Sequence, residues 1–411
     1  MSLNDVRELD RRDPLRLKRA DFALPPGTIY LDGNSLGALP ANVATRLVEV
    51  AQTQWGGDLI TSWNKHNWID MPVQIGEKIA PLIGAAPGQV VVCDTISVNL
   101  FKLLTFALAL QPGRTTILSQ ADNFPTDLYI AQGLEQTLTS SRCKLVSVAE
   151  SDLTDGLTDE VAVLLLTHVN FRSGAFHDMQ KLTDLAHRKG VLVLWDLAHS
   201  AGAMPIHLDA CHVDFAVGCG YKYLNGGPGA PAFVYVATRH QNAAVQPLTG
   251  WMGHADPFAF DSAYLPAPGI LKFLCGTPSV LAMCALDEAL NVFNAVDLQQ
   301  VRKKSEALGD LCRTLFATRV DLAEFQLVSP IEAHNRASQI AYTHPHAYQI
   351  CQALITENTI TDFRAPDILR IGFTPLYTRY EDVWMFVEQI TRIVSTRVYL
   401  DPKYSIRAKV T

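Results

Sequence analysis

The chain has 411 residues, 48% of them hydrophobic, enough to bury a large core and to form about two or three domains. With 34 basic against 41 acidic residues the formal charge is −7, and no basic run with interleaved aromatics appears, which argues against a nucleic-acid surface. Residues 1–20 mix both charges and carry no apolar leader, and the longest apolar runs, such as 161–166, are too short to span a bilayer, so a soluble cytoplasmic protein with no membrane partner is expected.

Residues 7–21 form a polar, charge-rich arm that reads as partly helical. A short strand at 28–31 runs into Asp32-Gly33-Asn34-Ser35-Leu36-Gly37, a cluster of turn formers. From about 70 to 240 the pattern alternates. Helices are predicted over 73–83, 98–110, 127–138 and 180–189, with strands over 90–93, 115–119, 144–148, 161–167, 191–195, 215–217 and 232–236. Short β-rich runs between helical patterns predict an α/β fold: a mostly parallel seven-stranded sheet with helices on both faces. Past Thr277-Pro278 the texture changes. Long helices at 280–294 and 298–317 precede strands at 325–328, 338–342 and 369–373, with helices at 346–356 and 381–394. The expected organisation is an N-terminal arm (1–25), a large domain (26–285) and a small α+β C-terminal domain (286–411), without repeats or low-complexity linkers.

Two strand ends carry the chemistry. The apolar run 191–195 ends in Asp196, and a second, 213–220, ends in Tyr221-Lys222-Tyr223, an amine between two phenols, before Asn225-Gly226-Gly227-Pro228-Gly229. In open α/β sheets ligands collect where strands end. An amine and a carboxylate there are what pyridoxal phosphate (PLP) requires. The lysine forms a Schiff base, and the carboxylate keeps the pyridine nitrogen protonated so that the ring accepts electrons. Read singly, Lys222 is a loop lysine and Asp196 a helix cap; the pairing favours the site.

Ile96 and Ser97 open the helix at 98–110, and helix-terminal amides with a hydroxyl make a phosphate site. A plain N-cap serine is the compatible alternative. The glycine-rich segment 226–229 lacks the Lys-Ser/Thr ending of a P-loop, so it reads as a turn that positions Lys222. Eight cysteines sit in apolar segments without C-x-x-C spacing, and His344-Pro345-His346 is too short for a helical zinc motif. Reduced, buried thiols and no metal are expected.

Trp195-Asp196-Leu197-Ala198-His199-Ser200-Ala201-Gly202 and Gly220-Tyr221-Lys222-Tyr223 resemble the fold-type-I PLP enzymes, transferase-like in fold, in the class V aminotransferase branch that contains the cysteine desulfurases. Leu31-Asp32-Gly33-Asn34-Ser35-Leu36-Gly37, Phe124-Pro125-Thr126-Asp127, Leu248-Thr249-Gly250-Trp251-Met252-Gly253-His254 and Leu369-Arg370-Ile371-Gly372-Phe373-Thr374-Pro375-Leu376-Tyr377 narrow the resemblance to the kynureninase family, in order along nearly the whole chain. That resemblance implies hydrolytic Cβ–Cγ cleavage of L-kynurenine to anthranilate and L-alanine in tryptophan catabolism, with 3-hydroxykynurenine as a second candidate substrate.

The resemblance also implies residue roles. Lys222 is the Schiff-base lysine and moves the substrate's Cα proton; Asp196 partners the pyridinium nitrogen, with Asp127 a second carboxylate near the ring and Phe124 over its face. Ile96, Ser97, Pro125, Thr126, Thr167, His199 and Tyr221 are the further cofactor contacts, the Tyr221 phenol also serving as a proton donor poised near neutrality. Trp251 and Thr277 match positions that reach the cofactor and substrate from a neighbouring subunit, which implies a homodimer with shared active sites; threonine at 277 leans towards unsubstituted kynurenine. Arg370 grips the substrate α-carboxylate, a planar group that suits a bidentate guanidinium, with Asn34 and Ser35 beside it and Arg364 as its rival. The alternatives are another PLP enzyme of this fold, such as an aminotransferase or a desulfurase with Cys275 as the cysteine to watch, and a non-catalytic metabolite-binding relative.

Overall fold

Runs of β-branched and aliphatic residues build seven strands into one sheet. The computed structural model describes residues 2–139, 141–243 and 246–407, so Met1 and 408–411 of the expected arm and C-terminal domain lie outside it. Across the sheet the order is Val90–Val92, Ala232–Val236, Phe215–Cys219, Leu192–Asp196, Val161–Thr167, Thr116–Gln120 and Lys144–Val148. Ala232–Val236 pairs antiparallel with both neighbours, and the other pairings are parallel. The mostly parallel seven-stranded sheet is as expected.

All these strands except the outermost, Lys144–Val148, are buried throughout. Successive side chains alternate between two cores, because strand residues point to opposite faces. Leu164, Leu166, Val193, Trp195, Phe233 and Tyr235 face one core, shared with helices Met71–Ile79, Met179–Arg188 and Val280–Ala289. Val163, Leu165, Leu194, Phe215, Val217 and Val234 face the other, under helices Ile96–Leu110 and Pro125–Leu138.

Boundaries moved where capping chemistry decides them. The helix expected from 98 begins at Ile96, because Thr95 caps it by accepting from Val98 N at 3.3 Å. The one expected from 127 begins at Pro125, a residue suited to a first turn. The strand expected over 191–195 runs from Leu192 to Asp196, so Asp196 itself sits in the ladder, between Thr167 and Val217. Helix Val43–Glu49 and its π-helical continuation Val50–Trp55 were not anticipated; they bury only Val43, Val50 and Gln54, too sparse an apolar stripe to show as a period.

A second, antiparallel sheet has the order Asp362–Arg364, Ile368–Gly372, Gln339–Thr343, Gln326–Leu327. Helices Leu298–Ala317, Ala347–Thr356 and Tyr380–Ser395 share its core. The N-terminal helix Leu3–Arg12 joins the same core through Val6, and Asp10 caps Tyr380–Ser395 by accepting from Tyr380 N at 2.8 Å and Glu381 N at 2.9 Å. Among the described residues no helix is long and apolar enough to cross a membrane.

The turn-rich segment 31–37 spans the two sheets. Gly372 N donates to Leu31 O at 2.7 Å, and Gly37 N donates to Tyr221 O at 2.8 Å. A Cβ on Gly37 would lie 2.3 Å from Lys222 O and 2.5 Å from Asn225 Oδ1, so glycine is required for this close approach. The fold thereby seats the second sheet's neighbourhood against the Lys222 turn.

Candidate active site

Val161–Thr167, Leu192–Asp196 and Phe215–Cys219 are adjacent and parallel, so their C-terminal ends open on one side of the sheet. A cavity of about 460 Å³ lies there. Ile96, Ser97, Phe124, Thr126, Asp127, Thr167, Asp196, His199, Tyr221 and Lys222 line it, as does Thr95 with the wall Pro228-Gly229-Ala230. The 226–229 segment is a turn that opens no helix, with positive φ at Gly227 and Gly229. A larger cavity, about 510 Å³ between the Ala80–Ile83 and Leu290–Phe293 turns, holds none of these residues, so chemistry rather than size distinguishes the site.

Lys222 is buried, its Nζ 3.0 Å from His199 Nε2 and over the rings of Phe124 and Tyr221 at 5.7 and 5.8 Å. Burial, and then the charges of Lys222, Arg370 and Arg364, hold His199 neutral by pushing its pKa well below the usual imidazole range. Its Nδ1 is buried without a partner.

Asp196 Oδ1 accepts from Ala198 N at 2.7 Å. Burial raises its pKa, with Lys222 and the Ala198 amide opposing. Asp127 is raised further, by burial first and then by the Asp196 charge. Its Oδ2 accepts from Thr167 Oγ1 at 3.3 Å, while Oδ1 is buried with no partner. Two carboxyls that cannot both ionise, one with an orphaned oxygen, are matched by a ligand bearing a protonated ring nitrogen. The residues present therefore fit PLP. Thr95, not Ser97, caps the helix at the cavity, and it takes up the Val98 amide, so the Ser97 hydroxyl and the Ile96 and Ser97 amides are not taken up by the cap.

One expectation changes. Burial raises the Tyr221 phenol, with Cys219 and Asp196 adding to it, so it is not poised near neutrality but stays protonated.

Arg370, Asn34 and Ser35 come together beside this cavity and not in its lining. Arg370 is 1% exposed. Its Nη1 donates to Phe171 O at 2.6 Å, its Nη2 to Ser35 Oγ at 2.9 Å, and it ion-pairs with Asp362. In the amide orientation that satisfies both of its polar atoms, Asn34 accepts from Arg370 Nε at 3.0 Å and donates to Asp32 Oδ1 at 3.3 Å, and Gln339 Nε2 donates to Phe171 O at 3.1 Å. The Phe171 ring meets Phe124 edge-on at 5.2 Å, connecting this cluster to the cavity wall.

Pro125, the first residue of its helix, also falls outside the lining. So do Trp251, half-buried against Phe258 at 5.6 Å, and Thr277, exposed beside a separate hollow of about 200 Å³ that Cys275 shares. Cys275 and Cys211 are half-buried, whereas the other six thiols are buried.

Sequence reasoning missed Asn123, Phe171, Gln339 and Asp362. Asn123 is buried, accepts from Phe124 N at 2.7 Å and takes a short hydrogen bond from Thr167. Gln339 and Asp362 left no local signal: Gln339 follows Ser338 at a strand start, and Asp362 lies between Thr361 and Phe363-Arg364 in a segment of mixed polarity.

Comparison with known proteins bears on this geometry. Residues 301–390 match the family model described as the kynureninase C-terminal domain. The chain is 50% identical over 408 residues to a kynureninase of Burkholderia pseudomallei (strain K96243), covering 98% of each, and 49% identical over 399 residues to one of Deinococcus radiodurans, covering 96% of this chain and 97% of that one. The chain belongs to the kynureninase family. Solved structures share its fold at much lower identity. An apo cysteine desulfurase from Thermococcus onnurineus NA1 superposes with a TM-score of 0.76 at 19% identity, covering 92% of this chain and 97% of that one. A C-DES mutant with glycine covalently linked to its PLP cofactor gives 0.78 at 15%, covering 91% and 98%. The kynureninase-family chain is thus built on the fold-type-I scaffold that its sequence suggested.

Proposed function

We propose that the protein hydrolyses the Cβ–Cγ bond of L-kynurenine, consuming one water and releasing anthranilate and L-alanine, with PLP held in the 460 Å³ cavity. The observation that carries this is a buried lysine sharing one cavity with two buried carboxyls, in a chain half identical to kynureninases over nearly its full length. Lys222 would hold the cofactor as a Schiff base, Asp196 and Asp127 its ring nitrogen, and Phe124 one ring face. The first-turn amides at Ile96 and Ser97 would take the phosphate together with Tyr221, and Pro125, Thr126, Thr167 and His199 complete the surroundings. Bound PLP supplies an electron sink for charge developing on the substrate carbons.

The chain's own groups do the rest. Once the substrate amine displaces it, the Lys222 amine takes the Cα proton, and His199, neutral and 3.0 Å away, accepts a hydrogen bond that orients it. Water adds to the γ-carbonyl, the Cβ–Cγ bond breaks, and Cβ takes a proton. The Tyr221 phenol, kept protonated by burial, suits that donor role. Arg370 receives the α-carboxylate next to Asn34 and Ser35.

We also infer a homodimer in which Trp251 and Thr277 enter the neighbour's cavity; neither lines its own, and Thr277 is exposed. Thr277 favours kynurenine over 3-hydroxykynurenine. The proposed division remains an arm to 25, a large domain to 285 and a small one beyond, in a cytoplasmic protein.

The test is fluorescence at the anthranilate band after mixing protein, PLP and L-kynurenine. A rise is expected, slower product formation from 3-hydroxykynurenine accompanying it. Sulfide release from cysteine in its place would favour a desulfurase, and no turnover of any amino acid a non-catalytic binder.

A further inference from the structure

One buried carboxylate has no part in the chemistry above. Asp362 is 1% exposed and stands opposite Arg370 in the strand register. Its Oδ2 ion-pairs with Arg370 and also with Arg364 Nη2 at 3.1 Å. Ser35 Oγ bridges the same two groups, accepting from Arg370 at 2.9 Å and from Arg364 at 3.3 Å. Two guanidinium groups side by side repel unless an anion sits between them, and Asp362 is that anion. Asp32, half-buried in the adjoining loop, is the weaker anion here: burial and then the Asp362 charge push its carboxyl up to about 7, against the pull of both arginines. Arg370 donates to the carbonyl of Phe171, whose ring packs edge-on against Phe124 of the cavity wall, which sets the pair beside the cavity. Arg370 is buried, whereas the Arg364 side chain is 35% exposed and reachable.

We propose that Asp362 is a positioning residue that clamps Arg364 and Arg370 side by side, so that the two guanidinium groups together receive the substrate α-carboxylate. This rests on the reading of Arg370 as the carboxylate-binding residue. It makes Arg364 a partner of Arg370 rather than its rival. The geometry matters more than the charge, because a planar carboxylate is read by aligned donors.

The experiment is steady-state kinetics of holoenzyme variants with L-kynurenine, with cofactor absorbance and circular dichroism as checks on folding. Asp362→Glu keeps the charge but moves it by one methylene, and Asp362→Asn removes it. The clamp requires both to raise KM, about tenfold for Asn, while kcat stays within about threefold. Arg364→Ala raises KM as well. The decarboxylated amine of kynurenine, which lacks the gripped group, should bind wild type and variants alike as an inhibitor. If Asp362 merely neutralised charge, Asn would lower KM and Glu would leave it unchanged, and the clamp is overturned. Should the Asn variant not fold, the Glu variant decides alone. An unchanged KM in Arg370→Ala removes the underlying reading. A raised KM in Arg370→Ala with Asp362→Glu and Arg364→Ala at wild type removes only the clamp.

Discussion

Lys222 owes its surroundings to strand ends: His199 follows Asp196 by three residues, and the Lys222 turn follows the neighbouring strand. Replacing Lys222 with Ala should abolish the visible Schiff-base absorbance of the reconstituted protein. Asp196→Asn keeps the hydrogen-bonding shape but not the charge, so cofactor should still bind through Lys222 while kcat falls by about a hundredfold or more; absorbance titration and turnover separate the two. These residues were legible in the sequence because each ends a buried-type apolar run. Asp362 and Gln339 were not, because their roles depend on strand pairings with Arg370 and Gly372 that no local pattern encodes. The Tyr221 phenol was misjudged for the same reason: its desolvation comes from how neighbouring segments close over it.

Between elements, close backbone approach and buried charge hold the site's frame. The contact of Gly37 with the Lys222 turn admits no side chain, so Gly37→Ala should weaken PLP binding without unfolding the protein, visible as a raised cofactor Kd at near-native circular dichroism. At the other end of the sheet Asp214 accepts from Val193 N (2.8 Å), Arg239 (2.6 Å), His187 (2.8 Å) and His240 (2.8 Å). Burial alone would raise its pKa, but the two histidine hydrogen bonds lead the contacts that pull it well below the usual carboxylate range. A depressed folded pKa stabilises above the unfolded value of about 4 and is lost as the pH falls below it. Asp214→Asn should cost about 2 kcal/mol at pH 7, and the Tm gap to wild type should narrow from about pH 4 downward. A gap that widens there would refute the clip. Helix and strand identities were readable from their periods, whereas starts such as Ile96 and Pro125 were set by caps and proline, which a hydrophobic pattern underweights.

For the molecule as a whole, the two sheets meet through segment 31–37, and the N-terminal helix is fastened to the second sheet's core by a buried ion pair of Asp13 with Lys304 at 2.6 Å. The large sheet was legible because its strands are long and apolar; the Asp362–Arg364 strand, three residues long, was not. The proposed homodimer with shared active sites makes a further expectation. Lys222→Ala and Trp251→Ala chains, each inactive alone, should recover about a quarter of wild-type activity when mixed and allowed to exchange, because half of the dimers then carry one intact site. Complete absence of recovery, with exchange verified, would count against Trp251 acting across the interface.

Among the described residues four lysines are buried: Lys102, Lys222, Lys272 and Lys304. Lys102 is committed to Asp94 and Phe273 O, and Lys304 to Asp13 and Pro375 O, while Lys222 faces the cavity with both carboxyls. Borohydride reduction of the PLP-loaded protein, followed by digestion and mass spectrometry, distinguishes them directly. A phosphopyridoxyl adduct on the peptide containing Lys222 is expected; an adduct on Lys102, Lys272 or Lys304 with Lys222 unmodified would contradict the assignment.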